Sequence, residues 1–361
     1  MATWTDLIRA WPGEEVVVRY DRESEAWMFI AIHATHGTRS VGGCRMKVYP
    51  TPEDGLWDAI RLAEGMTNKW AAIDVNYGGG KAVIALAKPV AGEARTAVLR
   101  RFGRMIDSLN GRYGTGPDIG TTPADMALLA TETRYVHCYD WKIKAPYDPG
   151  IYTALGVFVG MNAAWRHVTG SADLRGVRVL VQGVGDTGAP LARYLKEVGA
   201  VLLLNDLNAE KVAALASELG AEVVPTERVY QTDCDIYAPC SVGATLDETT
   251  IAQLKCRVVA GAANNQLRGP EDAARLVARN ILYAPDYVVN GAGAVSLAMV
   301  DDGASFPAIE IAIQAMDQRL TRIFTEAKTR NESPVDAARR MVDRRLALLR
   351  LPPLATRPQV G

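Results

Sequence analysis

The sequence predicts an α/β protein of two domains separated by a cleft, the second built on a doubly wound parallel sheet. Three observations carry this. The chain has 361 residues, more than one ordinary hydrophobic core organises. From about residue 177 onward, short and nearly continuous apolar strands alternate with helical patterns, which is the rhythm of a parallel sheet covered on both faces. And the strand Val177-Arg-Val-Leu-Val-Gln182 runs straight into Gly183-Val-Gly185-Asp186-Thr187-Gly188, followed by a helical pattern through Leu195.

The first part opens with two strand candidates, Val16 to Tyr20 and Trp27 to Ile32, both rich in β-branched and aromatic residues. Thr51-Pro52-Glu53-Asp54 then reads as a helix start: Thr51 can cap, Pro52 suits the first helical position, and the two acids favour the positive end of the helix dipole. Leu56, Ile60, Ala63, Met66 and Trp70 follow at helical spacing, so Lys69 falls in the last turns of this helix. Lys81 to Leu86 is the next strand. Val98, Phe102, Met105 and Leu109 mark a second helix, closed by Asn110-Gly111.

Thr122-Pro123 repeats the cap-and-proline signal, which places Asp118 in a glycine-rich loop just ahead of a helix. Taken alone, such an aspartate is a turn or capping residue. Lys142 to Gly150, with Pro146 and Pro149, reads as a connection. Beyond it come the strand before Gly183, a second strand from Val201 to Asn205, and short apolar strands near Ile236, Val258 and Ile281. After Val300 the pattern is helical to about Leu351, and the last residues read as a frayed tail.

Bulk composition narrows the function. A net charge of -1 gives no electrostatic case for nucleic acid or an anionic membrane surface. No apolar stretch approaches the roughly 20 residues of a membrane span, and Met-Ala-Thr-Trp-Thr-Asp lacks the basic region and apolar run expected of a signal peptide. The five cysteines are scattered without CxxC spacing, and the four histidines form no HExxH, so neither a disulfide framework nor a metal site is expected. A cytoplasmic enzyme or binding protein fits these features.

Two motifs carry chemistry. In the second part, Gly183 permits a tight turn, Gly185 lets backbone approach a pyrophosphate, and Gly188 allows close helix–strand packing; this is a Rossmann-type dinucleotide site. Asp206, 23 residues after Gly183, can accept hydrogen bonds from an adenosine ribose and would repel a 2′-phosphate, so NAD is expected over NADP. In the first part, Gly78-Gly79-Gly80-Lys81 lies twelve residues after Lys69. Three glycines let backbone approach a ligand, and two lysines beside them suit a small anionic substrate. A nucleotide site on one domain and lysines on the other imply a cleft that closes to exclude water.

Seven motifs in order resemble the Glu/Leu/Phe/Val dehydrogenase family of amino-acid dehydrogenases over roughly Val17 to Arg345. They are Gly42-Gly43-Cys44-Arg45-Met46, Gly65-Met66-Thr67-Asn68-Lys69, Gly78-Gly79-Gly80-Lys81, Pro117-Asp118-Ile-Gly-Thr-Thr, Pro239-Cys240, Ala260-Gly261-Ala262-Ala263-Asn264-Asn265-Gln266, and Pro285-Asp286-Tyr287-Val-Val-Asn290. The resemblance implies a substrate-binding and oligomerisation domain over residues 1–145 and an NAD-binding Rossmann domain over 146–330. Residues 331–361 would form a helix returning toward the first domain, and a tail.

By the same resemblance Lys69 pairs with a substrate α-carboxylate, with Gly42 and Gly43 lining that pocket. Lys81 is the catalytic lysine, its pKa lowered by burial and its cationic neighbour, and Asp118 exchanges protons with the substrate amine. Gly116 and Asn290 belong to the substrate pocket. The family's cofactor side would comprise Thr153, Gly183, Gly185, Asp186, Thr187, Gly188, Asp206, Cys240, Ala262, Asn264 and Asn290. The implied reaction is reversible oxidative deamination of an L-amino acid to a 2-oxo acid and ammonia, in a homo-oligomer. Gly116 resembles the phenylalanine dehydrogenases, where alanine is usual in leucine dehydrogenases, so a large apolar or aromatic substrate is expected. A leucine or valine dehydrogenase and a non-catalytic NAD-binding sensor are the alternatives.

Two segments depart from the family pattern. Asn290-Gly291-Ala292-Gly293 replaces the usual Asn-Ala-Gly-Gly, with an atypical Ala-Val-Ser-Leu-Ala-Met-Val behind it. The stretch from His137 to Asp148 lacks the usual small residues. Both bear on the shape of the side-chain pocket.

Overall fold

The computed structural model describes residues 4–36 and 38–349. The end of the helical pattern at Leu351 and the tail lie outside them.

The chain opens with α1 (Trp4–Ala10), β1 (Glu15–Asp21), β2 (Ala26–Ile32), β3 (Ser40–Val48), α2 (Pro52–Ala72), β4 (Gly78–Leu86), α3 (Gly92–Asp107), β5 (Tyr113–Pro117) and α4 (Pro123–Leu129). A small hairpin follows, β6 (Tyr139–Asp140) with β7 (Ala145–Pro146). The sheet runs β1-β2-β4-β3-β5, antiparallel through β4 and parallel from β4 to β5. Alternate strand residues face opposite ways. Phe29, Ala31, Val83 and Ala85 meet Leu56, Ile60 and Ala63 of α2, while Met28, Ile30, Ala82 and Ile84 meet Phe102 and Met105 of α3. Thr51 and Thr122 cap α2 and α4 through reciprocal bonds with Asp54 and Asp125, as the Thr-Pro signals predict.

Next comes α5 (Gly150–Thr169), which the sequence reading passed over because its apolar residues surround the helix rather than forming a stripe. It leads into β8 (Arg178–Gln182), α6 (Gly188–Glu197), β9 (Val201–Asn205), α7 (Ala209–Leu219), β10 (Glu222–Val223), β11 (Ile236–Pro239), α8 (Glu248–Gln253), β12 (Val258–Val259), α9 (Glu271–Ala278) and β13 (Leu282–Tyr283). The second sheet is parallel, ordered β10-β9-β8-β11-β12-β13, the Rossmann arrangement with its reversal between β8 and β11. Val179, Val181, Leu202 and Leu204 face one core and Leu180, Leu203 and Tyr237 the other, so both faces are covered.

Short helices α10 (Asp286–Val289), α11 (Ala292–Asp301) and α12 (Phe306–Ile313) precede α13 (Ala315–Arg330) and α14 (Pro334–Leu349). α13 packs along α5, and α14 lies against α2, where Arg345 Nε stands 3.0 Å from Asp74 Oδ1. Among the described residues no helix is long and apolar enough to cross a membrane.

β3 and β5 were not foreseen as strands. Gly42, Gly43, Gly114 and Gly116 interrupt them, and glycine is depleted from strands. Here each sits where a neighbouring group leaves no room for a Cβ, or opens onto the cleft.

Candidate active site

A cavity of about 380 Å³ opens between the two sheets. From the first half, Gly42 and Gly43 on β3, Lys69 on α2, Lys81 on β4, and Gly116 and Asp118 at the end of β5 line it. Thr153 of α5, Asn264 and Asn290 line it from the other side. Residues about 200 positions apart in the chain are thus brought face to face: Lys69 Nζ donates to Asn264 Oδ1 at 3.4 Å.

At the floor, Lys81 Nζ lies 2.9 Å from Asp118 Oδ2. Gly43 makes this possible, since a Cβ there would stand 2.9 Å from Asp118 Cβ and 3.3 Å from Lys81 Nζ. Arg45 Nε donates to the same Asp118 oxygen at 2.9 Å, and its Nη1 donates to Asp58 Oδ2, also at 2.9 Å. Asp58 further accepts from Tyr49 Oη at 2.6 Å and from Arg61. Burial alone would raise the Asp118 pKa; the Lys81 and Arg45 cations outweigh it and hold the carboxyl well below the usual range. Sequence reading missed Asp58 and Tyr49. A polar residue inside a helical pattern carries no sign that it faces a buried arginine.

The structure gives Lys81 a carboxylate partner. Burial loosens the proton of Lys69, down to about 8; Asp286 works against the shift and nearby Lys81 adds to it. One expectation needs correction: the run Gly78-Gly79-Gly80 does not line the cavity. It lies within β4, and a Cβ on Gly79 would stand 2.1 Å from Thr67 N of α2. These glycines let the strand seat against its own helix and neighbours, which places Lys69 and Lys81 along one cleft.

The remaining cofactor-side residues gather at the carboxyl end of the second sheet, after β8 and β9. Gly183 has φ +94°, open to glycine but strained for other residues, and a Cβ on Gly188 would stand 1.8 Å from the Gly183 carbonyl oxygen. Gly185 faces open space, as backbone approaching a pyrophosphate requires. Asp186 and Thr187 complete the turn, with Thr187 preceding α6. Asp206 accepts from Val184 N at 2.8 Å, which ties the acid to the glycine loop. Asn290 Nδ2 donates to Ala262 O at 3.0 Å and to Asn264 Oδ1 at 2.8 Å, while its own Oδ1 is buried without a hydrogen-bond partner among the described residues. Thr153 Oγ1 donates to Pro149 O at 3.1 Å. Cys240 packs beside Gly188, and burial pushes its thiol up to about 12. The glycine turn, the acid and the orphaned Asn290 oxygen fit a dinucleotide.

A two-domain cleft with a lysine–aspartate pair on one wall and a dinucleotide turn on the other defines a dehydrogenase class. The chain belongs to the Glu/Leu/Phe/Val dehydrogenase family: residues 16–135 match its dimerisation domain, described as Glu/Leu/Phe/Val dehydrogenase, dimerisation domain, and residues 201–341 match Glutamate/Leucine/Phenylalanine/Valine dehydrogenase. It is 41% identical over 337 residues to the leucine dehydrogenase of Geobacillus stearothermophilus, covering 93% of this chain and 91% of the relative. It is 37% identical over 343 residues to the L-tryptophan dehydrogenase of Nostoc punctiforme, covering 94% and 95%. A crystal structure of L-tryptophan dehydrogenase from Nostoc punctiforme superposes with a TM-score of 0.80 at 35% identity, over 96% of this chain and 99% of that one. The protein is therefore an amino-acid dehydrogenase, an oxidoreductase acting on a CH–NH2 group.

Proposed function

We propose that this protein catalyses the NAD-dependent, reversible oxidative deamination of a large apolar or aromatic L-amino acid. The observation that carries the chemistry is the Lys81–Asp118 pair, 2.9 Å apart, facing Lys69 across one cavity. The Lys69 ammonium holds the substrate α-carboxylate, and ionised Asp118 takes a proton from the α-amine. NAD, when bound, would supply the acceptor for the hydride of Cα; Gly183, Gly185, Gly188, Asp186, Thr187 and Asp206 would hold its pyrophosphate and ribose, and Thr153, Ala262, Asn264 and Asn290 its nicotinamide end. Lys81 assists attack of water on the substrate imine. Asp118 returns a proton to the departing amine, so ammonia leaves and the 2-oxo acid remains. Closure of residues 1–145 against 146–330 excludes competing water.

Support for a large side chain comes from the pocket wall. Gly116 has no side chain, and Gly293 and Ala294 opposite are small, with Val41, Met66 and Leu297 giving apolar surface. The higher identity to a leucine dehydrogenase favours a second reading, a branched-chain substrate. Asp206 supports NAD over NADP. The match of residues 16–135 to a dimerisation domain supports a homo-oligomer.

The test is NADH formation at alkaline pH over the twenty L-amino acids, with Lys81→Ala as control. Turnover that disappears in the variant establishes the chemistry. A higher kcat/KM for leucine or valine than for every aromatic amino acid replaces the aromatic reading with the branched-chain one. Tight NAD binding with no turnover on any amino acid would leave a sensor.

A further inference from the structure

The lining of the cleft divides by chemistry. Lys69, Lys81, Asp118, Asn264 and Asn290 form its polar part. The apolar lining belongs to one packed cluster: Val41 of β3, Met66 and Trp70 of α2, and Ala294 and Leu297 of α11. Met66 and Trp70 are one turn apart, so both lie on the face that α2 turns to the cavity. An apolar substrate side chain has this cluster to lie against.

Trp70 is the largest member of the cluster. It borders the cavity yet is 0% exposed, so the space narrows to less than the width of a water molecule where the indole begins. The ring is held from two directions. Its Nε1 donates to the Val41 carbonyl oxygen at 2.9 Å, and Tyr77 meets it edge-on, with ring centroids 5.3 Å apart and planes at 87°. The backbone beneath it is tied as well, since the Trp70 carbonyl oxygen accepts from Val75 N at 3.0 Å. A methionine in such a wall, as at Met66, can change rotamer to admit a longer ligand. The indole can move aside only by leaving a buried carbonyl oxygen unpaired.

We infer that Trp70 is a specificity-determining residue: its indole, anchored on Val41, closes the end of the side-chain pocket and sets how far a substrate side chain can reach. This rests on the reading of an apolar substrate side chain and holds for an aromatic or a branched-chain one alike. A side chain that ends at the indole is accepted, and one longer by a methylene has to displace it.

The experiment uses the full chain with NAD and measures kcat/KM over two series of L-amino acids that lengthen by one methylene at each step. One is norvaline, norleucine, 2-aminoheptanoate and 2-aminooctanoate; the other is phenylglycine, phenylalanine and homophenylalanine. In the wild type kcat/KM passes an optimum in at least one series and falls by about tenfold or more at the next methylene. Trp70→Phe shortens the ring system. Trp70→His shortens it further, keeps a ring N–H for Val41, and carries the test should Trp70→Phe fail to fold. In either variant the first member beyond the wild-type optimum gains at least about tenfold relative to the optimum member, while KM for NAD changes by less than about threefold. A wild type with no such fall in either series overturns the inference, whether or not the variants fold. A variant that keeps its KM for NAD and lowers every member equally leaves Trp70 a core residue only, and overturns it too. Turnover confined to acidic or other polar amino acids overturns the apolar reading and this inference with it. Preference for leucine or valine over every aromatic amino acid overturns the aromatic reading alone.

Discussion

Lys81 Nζ and Asp118 Oδ2 stand 2.9 Å apart at the floor of the cleft, and Arg45 reaches the same oxygen from the opposite side. The carboxylate is thereby fixed in place and kept ionised. Arg45 is fixed in turn by Asp58.

Asp118→Asn is expected to reduce kcat by roughly 10²–10⁴-fold, since it removes the proton acceptor while preserving shape. NADH binding, followed by nucleotide fluorescence, should stay within a few-fold of wild type. An equal loss in both measurements would mean the substitution damaged the fold.

Asp58→Ala tests the support beneath the pair. Asp58 is nearly buried and accepts from Arg45, Arg61 and Tyr49. Its removal leaves Arg45 with an uncompensated buried charge on that side, a loss of about 3–5 kcal/mol by urea denaturation. Unchanged stability would show that Asp118 alone suffices for Arg45.

Lys69 gives a pH dependence to anion binding. Its folded pKa is lowered, to about 8, so the free protein carries this charge below that pH and loses it as pH rises. A carboxylate inhibitor that lacks an amine should therefore bind with a constant Ki below about pH 7, and Ki should rise toward tenfold per pH unit above 8. In Lys69→Met binding is weak throughout and the rise vanishes. A Ki independent of pH from 6.5 to 9.5 in the wild type would remove Lys69 as the carboxylate partner.

Gly116→Ala adds a methyl to the pocket wall, where the space is open except for His137 Cβ at 3.8 Å. Backbone strain is not introduced, so the effect should fall on substrate fit. The ratio of kcat/KM for the best aromatic substrate to that for leucine is expected to drop by about 10–200-fold, corresponding to roughly 1–3 kcal/mol. A ratio that stays constant would place the side chain elsewhere.

Asp206→Ser removes the charge at the end of β9. KM for NAD should rise and NADP should become usable, because the carboxylate that repels a 2′-phosphate is gone. The lost acceptor for Val184 N is partly replaced by the serine hydroxyl. Equal use of NAD and NADP by the wild type would contradict the role given to Asp206.

Local signals in the sequence determined much of this protein. Thr51-Pro52 and Thr122-Pro123 start helices because a threonine cap and a proline at the first helical position act within a few residues. Gly183, Gly188 and Asp206 were legible for a similar reason: the turn, the helix and the acid form one short unit whose spacing follows from its geometry. Other features were decided only by the tertiary structure. The glycines of β3, β4 and β5 look like loop residues until neighbouring strands and α2 show why no Cβ fits. Asp58 looks like a solvated helix residue until Arg45 lies against it. That burial loosens the Lys69 proton, and that Lys81 meets a carboxylate, are matters of packing that sequence spacing does not hold. His137 and Asp301, 164 residues apart, become partners only because α11 folds back across the end of β5. Desolvation and Coulomb interactions depend on distances in space, and only the packed chain sets those.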